Sequence, residues 1–160
     1  MRVSEVRFLF DYGTWATGHI LRAAAALGDE EFAAAGKLSH GGIRGTLVHT
    51  LTAQHGWCAG WRGLPRPPRL DEADFPTVAA LADRWREEDA ILRAYLDTLA
   101  DADLDRDFMG LGPLWVAMLQ VINHGTQHRS EVAVVLTDLG HSPGDIDILF
   151  FARDRQRGQG

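Results

Sequence analysis

Two histidines four residues apart, His124 and His128, are the residues of this chain best suited to chemistry. They lie in a long segment with helical apolar periodicity, where a four-residue spacing is a rotation of only about 40°. Both imidazoles would therefore project from one face of a helix, one turn apart. Neutral imidazole is the commonest ligand for zinc, nickel and copper, so the pair could hold one transition metal ion.

A third histidine, His49, lies far upstream in another helical segment. Three histidines would complete the open geometry of a catalytic metal site. A short His-x-x-x-His motif is weak by itself, because a histidine in an apolar seam is more often a hydrogen-bonded core residue. The face around His49 predicts either a close-packed neighbouring helix or a cavity above the ring, since it carries only small residues: Gly45, Thr52, Ala53, Gly56 and Gly60.

Three further residues are candidates for supporting or substrate-binding roles. Glu131 could hydrogen-bond a histidine ligand, although an exposed or ion-paired glutamate is the commoner case. Arg129 could bind a substrate carboxylate, with a structural ion pair as the default, and Trp57 could contact a substrate. Gly125, Thr126 and Gln127 separate the paired histidines, so the glutamate of a HExxH metalloprotease is missing. No catalytic residue is identified by these patterns.

The remaining histidines and the single cysteine are expected to lie outside the site. The spacing does not place the other histidines with the triad, so we expect them to be non-ligands: His19, His40, His55 and His141. Cys58 follows Trp57 and is expected to behave as a small buried hydrophobe. A single cysteine also excludes an intrachain disulfide and cysteine-based metal motifs.

Four long helical patterns must position these residues, and no segment has a clear strand pattern. They cover approximately residues 4–27, 43–61, 76–99 and 113–139, with glycine or proline near their ends. His128 lies in the apolar seam of the last one. We predict an all-α fold, a four-helix bundle over residues 1–151 with short extra helices in the connectors. Residues 145–151 are expected to dock on the bundle, and residues 152–160 to form a frayed polar tail.

Composition narrows the class of partners. The chain has 160 residues, enough for one domain with a substantial core, and a net charge of −6 that argues against nucleic acid. No apolar run approaches the roughly 20 residues needed to span a bilayer. The amino-terminal residues are charged where a signal peptide would be apolar. We expect a cytoplasmic protein with a small-molecule substrate and no membrane or nucleic-acid partner.

The chain resembles the DinB family and the related YfiT-like proteins, which are four-helix metalloproteins associated with DNA damage or stress. The resemblance covers nearly the whole chain and is carried by the segments 45–49 and 121–129, with Trp57 eight residues after His49, and by Tyr12, Trp15, Leu139, Gly140, Pro143, Gly144 and Asp147. Thr17 lies near the place where members often have asparagine. The three histidines that bind metal in the family match His49, His124 and His128.

The resemblance implies a divalent metal ion, with zinc or nickel expected because the ligands are imidazoles only. In the wider family it points to S-transfer, with a low-molecular-weight thiol as cosubstrate and small electrophiles as substrates. The alternatives are a metal-dependent hydrolase and a non-enzymatic, stress-induced metal- or ligand-binding protein. The resemblance also implies a homodimer.

Overall fold

The computed structural model describes residues 1–158, and within that range the chain forms six α-helices. Four are long: α1 (Val3–Ala24), α3 (Ile43–Trp61), α4 (Val78–Leu96) and α5 (Leu114–Asp138). Two are shorter, α2 (Asp29–Ala33) and α6 (Ile148–Arg157), and 3-10 turns occupy Glu72–Asp74 and Asp101–Asp105. No strand occurs in residues 1–158, which confirms the expected all-α fold with short helices in its connectors.

The four long helices form a bundle in which each packs against two others. α1 and α3 are diagonal to each other, and each contacts both α4 and α5. The start of α1 meets the end of α4, since the Val3 amide donates a 2.8 Å hydrogen bond to Asp101 Oδ1. The end of α3 packs against the start of α5, where Trp61 and Leu114 share one apolar cluster. The starts of α1 and α5 lie at the same end of the bundle, because Val6 and Met118 belong to that cluster too. The directions are therefore up, down, down and up for α1, α3, α4 and α5.

Two apolar clusters fill the two ends of the bundle. One includes Ile20, Leu47 and Leu136, and the other includes Val6 and Met118, all fully buried. The helix positions between these clusters carry buried charged and polar side chains, among them Glu88, Asp89, His128, Arg129 and Thr17. His124 and His128 on α5 lie at the level of this polar middle layer, whereas His49 on α3 lies between Leu47 and Leu51 of the first cluster.

The predicted helix limits agree best where the sequence has strong breakers. The helix expected at 43–61 has those bounds, with Gly42 as its first cap and Gly63 in a left-handed conformation (φ 73°) after its end. The first pattern was expected to continue to residue 27 but α1 ends at Ala24, and α4 is shorter than predicted at both ends. In α4 the Thr77 hydroxyl accepts from the Ala80 amide and starts the helix two residues later than the proline-based expectation.

The tail predicted as frayed from residue 152 is helical through Arg157. The Asp147 side chain caps α6 by accepting a 2.8 Å hydrogen bond from the Leu149 amide. Phe151 is 8% exposed and packs 5.2 Å from the ring of Phe8. Arg155 then pairs with Asp11 at 3.1 Å. The packing of Phe151 and this ion pair hold the polar end of α6 against α1. The last two residues of the predicted tail, 159 and 160, lie outside the described part of the chain.

None of the helices in residues 1–158 combines the length and apolar character needed to cross a membrane.

Candidate metal centre

The three histidines expected as ligands converge on one point between α3 and α5. The Nε2 atom of His124 lies 3.1 Å from the Nε2 atom of His49 and 3.1 Å from that of His128. An Nε2 atom carries either one hydrogen or one lone pair, so these two contacts are not both ordinary hydrogen bonds. A shared ion would satisfy all three nitrogens together. Two nitrogens bound to one tetrahedral zinc at 2.0–2.1 Å would be about 3.3 Å apart, close to the observed spacing.

Burial favours the neutral form of His49 and His124, and an imidazole must be neutral to bind a metal ion. Desolvation lowers the pKa of His49 to about 4, and the neighbouring histidines add to that effect. Desolvation, with a contribution from His128, also lowers the pKa of His124. A donor set of three imidazoles, two of them with a lowered pKa, fits a divalent transition ion.

Two residues, Ser39 and Glu131, contact the outer nitrogen of His128. Its Nδ1 atom lies 3.4 Å from both Ser39 Oγ and Glu131 Oε2. The Ser39 hydroxyl donates a 2.6 Å hydrogen bond to the same Glu131 oxygen, and this bond is the main cause of the lowered pKa of Glu131. An imidazole that binds metal through Nε2 carries its hydrogen on Nδ1, and a carboxylate beside that atom fixes the ring. The structure thus places Glu131 where it can serve the predicted supporting role.

The other two ligand candidates have less support at their outer nitrogens. The Nδ1 atoms of His49 and His124 are buried and have no hydrogen-bond partner among the described protein atoms. His128 is therefore the most firmly oriented member of the triad.

A fourth histidine, His40, borders the site, and its exclusion on spacing alone was premature. Its ring stacks on that of His49, with centroids 3.4 Å apart and planes inclined by 11°, and lies 5.1 Å from the ring of His128. The potential ligand atoms of His40, His49 and His128 lie within 4.8 Å of one another. This group overlaps the helical triad, and the 3.1 Å contacts through His124 make the triad the tighter of the two.

His40 reaches the site through a tight turn rather than through helical spacing. The backbones of Leu38 and Gly41 bond to each other in both directions, at 2.9 and 3.0 Å, and Gly41 is left-handed with φ 86°. Ser39 and His40 form the tip of this turn. The sequence feature that could have indicated it is the run Ser39-His40-Gly41-Gly42, which comes directly before the helix carrying His49.

Gly45, on the small-residue face of α3, meets this turn, so at that position the close neighbour is a turn and not one of the helices. A Cβ atom added at Gly45 would lie 2.2 Å from the backbone oxygen of His40. Glycine at this position therefore allows the turn to approach the helix closely enough to lay His40 on His49.

Arg129 follows His128 but lies inside the bundle. It is 5% exposed, donates to Thr126 Oγ1 at 3.0 Å and lies over the ring of Tyr12 at 5.6 Å. A Cβ atom at Gly125 would be 2.8 Å from its NH1 atom, so that glycine makes room for the guanidinium. Arg129 also borders a cavity of about 20 Å³, the volume of roughly one water molecule.

Trp57 and Cys58 lie towards the far end of α3. Trp57 packs 6.2 Å from the ring of Phe108, and its eight-residue distance from His49 is about 12 Å along the helix. Its predicted substrate contact therefore stays a prediction. Cys58 is 2% exposed, and burial raises the pKa of its thiol to about 11, which agrees with a structural role.

Two of the histidines expected to be non-ligands have other partners. His55 pairs with the buried carboxylate of Glu88 at 2.9 Å. The Nδ1 atom of His19 lies 3.2 Å from the carbonyl oxygen of Pro143.

Comparison with known proteins places the chain in a family. The model of the DinB family matches residues 1–159, essentially the whole chain. A search of the curated proteins found no match. The matched range includes all six helices, the paired histidines of α5 and His49 of α3. This chain belongs to the DinB family.

Proposed function

We propose that this protein is a metal-dependent S-transferase that joins a low-molecular-weight thiol to small electrophiles, with His49, His124 and His128 as the metal ligands. The observation that carries the proposal is the convergence of three imidazole nitrogens, with the Nε2 atom of His124 lying 3.1 Å from those of His49 and His128. Three ligands leave a fourth position for an exogenous group. A zinc or nickel ion held by the three histidines would favour the thiolate form of a thiol bound at this fourth position near neutral pH.

The protein residues supply positioning rather than a nucleophile. Ser39 and Glu131 hold the ring of His128, and the burial of His49 keeps its nitrogen unprotonated. Cys58 is excluded as the sulfur source by its burial and its raised pKa, so the thiol must enter as a cosubstrate. In the reaction a bond forms between sulfur and the electrophilic carbon, the leaving group departs with its electron pair, and the thiol proton passes to solvent.

A second candidate is a non-enzymatic metal- or ligand-binding protein, favoured by the ring of His40 lying against the triad. A site with four imidazoles available can retain an ion without processing a substrate. A metal-dependent hydrolase is a weaker alternative, because residues 125–127 supply no general-base glutamate between the paired histidines.

The metal site is tested with untagged, chelator-washed protein reloaded with zinc or nickel. We expect one ion per chain by elemental analysis, and loss of tight binding in His128→Ala. His141→Ala is the matched control, because it also removes one imidazole, but from a histidine that follows the end of α5 and contacts none of the three ligands. Full occupancy of the His128→Ala variant would reject the ligand assignment.

The reaction is tested by incubating metal-loaded and metal-free protein with a mixture of cellular thiols and a reactive electrophile. We expect mass spectrometry to detect conjugates that form faster with the metal-loaded protein. Equal rates across several thiols would eliminate the S-transferase and leave the binding protein as the better proposal.

The assembly and location belong to the same proposal. We propose a homodimer in the cytoplasm, where small thiols are kept reduced. Support for an interface comes from large apolar side chains exposed at the end of the bundle where α3 stops and α5 starts: Leu64 at 47%, Met109 at 80% and Leu111 at 62%. Sedimentation of micromolar protein at 17.6 kDa, the mass of one chain, would reject the dimer.

A further inference from the structure

We propose that His40 is a fourth, displaceable ligand of the metal centre, which closes the site until an exogenous ligand replaces it. This inference rests on the proposed metal site. Its basis is the placement of a fourth imidazole whose potential ligand atom lies within 4.8 Å of those of His49 and His128. Three of the four histidines are on helices, whereas His40 is on a turn. The position of His40 therefore depends on the contacts of that turn.

The turn that carries His40 is built to approach the site. Leu38 and Gly41 close it with two backbone hydrogen bonds, and the backbone oxygen of His40 occupies the place that a side chain at residue 45 would need. A Cβ atom at Gly42 would lie 2.1 Å from the carbonyl oxygen of Ala34, so the base of the turn is also closely packed. The Ser39 hydroxyl fixes its tip to Glu131 on α5 at 2.6 Å.

The ring orientation explains why His40 would be displaceable. An imidazole binds a metal in the plane of its ring, and two parallel rings 3.4 Å apart do not share an ion in both planes. In the stacked arrangement His40 therefore lies beside the site. Rotation of its side chain is required before its lone pair can point at an ion held by His49. His40 is half-buried, which leaves it freer to turn than the fully buried His128.

Stacking and coordination are separated by replacing His40 with phenylalanine, which keeps a ring over His49 but has no donor atom. Full-length, untagged wild-type protein and His40→Phe are titrated with Co²⁺, and affinity is measured by competition with a coloured chelator. We expect His40→Phe to bind Co²⁺ at least about tenfold more weakly and to show a changed visible absorption spectrum. His40→Ala should behave in the same way, and circular dichroism checks that both variants fold. His141→Phe is the control and should match wild type.

A second measurement uses 2-mercaptoethanol as the exogenous ligand and follows the sulfur-to-cobalt absorption band. We expect the thiol to bind His40→Phe more tightly than wild type, because no internal imidazole competes for the fourth position. If both His40 variants keep the wild-type spectrum, metal affinity and thiol affinity, the assignment of His40 as a fourth ligand is wrong. The three-histidine site would not be affected by that result. Failure of the wild-type protein to bind Co²⁺ would reject the metal site, and with it both proposals.

Discussion

Glu131 would act on a bound metal ion through its neighbours, His128 and Ser39, and this contribution is measurable. Its carboxylate lies beside the Nδ1 atom of His128 and accepts the Ser39 hydroxyl hydrogen bond. We expect Glu131→Ala to weaken metal binding about 10- to 100-fold, because the three ligands remain but one ring loses its orientation. Glu131→Gln keeps an acceptor oxygen and should lose less.

Chelator competition with zinc measures this effect, and Glu87→Ala is a suitable control because that glutamate is an exposed residue of α4. Unchanged affinity in Glu131→Ala would show that the contact with His128 does not stabilise the bound state.

At the level of single residues, the sequence predicts which side chains share a face of the same helix. His124 and His128 could be paired because four residues make one turn, and Glu131 follows at the next turn of the same face. The positions of His40 and Ser39 were not predictable in this way, because they lie in a turn between helices. The sequence of such a turn does not show which helix it packs against. They depend on how closely the turn packs against Gly45, which is a tertiary property.

Two glycines in α3 offer a matched test of how this helix holds the turn. A methyl group at Gly45 would lie 2.2 Å from the His40 backbone oxygen, whereas a methyl group at Gly56 meets nothing within 4 Å. We expect Gly45→Ala to destabilise the protein by about 1–3 kcal/mol, since backbone must shift. Gly56→Ala should stabilise it by roughly 0.5–1 kcal/mol, because alanine restricts the unfolded chain more than glycine does.

Urea unfolding of the metal-free variants measures both changes in the free energy of unfolding. Equal effects of the two substitutions would mean that the turn does not pack on α3 as described.

Helix limits were predictable where one residue dominates the local conformation. α3 has the predicted bounds, with Gly42 directly before it and the left-handed Gly63 soon after its end, and both glycines can be read from the sequence. α6 was missed because its polar residues have no internal apolar pattern after Phe151. Its continuation depends on Phe8 and Asp11 of α1, whose neighbourhood the sequence does not reveal.

For the molecule as a whole, the two apolar clusters predict that the bundle survives removal of the metal. They contain fully buried apolar side chains from all four long helices, and none of the three histidines is part of either cluster. We expect chelator treatment to leave the helical circular dichroism spectrum unchanged. The unfolding midpoint should fall only by the amount that metal binding to the folded state had added. Loss of helical signal on chelation would contradict this expectation.

The polar layer between these clusters was not predictable from the sequence. Glu88 and Asp89 are adjacent on α4 and only 2% and 9% exposed, although charged residues at such positions usually face solvent. Glu88 pairs with His55 and Arg84, and Gln54 donates a 2.7 Å hydrogen bond to Asp89. These partners come from different helices or turns, so their burial follows from the assembled bundle.

The contact between His49 and His124 joins residues 75 positions apart in a chain that has no disulfide. An ion shared by them would act as a reversible cross-link between α3 and α5 and close a loop that includes the whole of α4. Closing a long loop removes conformational entropy from the unfolded chain. Metal exchange would then set how readily the two halves of this bundle can separate, so the same three nitrogens would govern both ligand binding and resistance to opening.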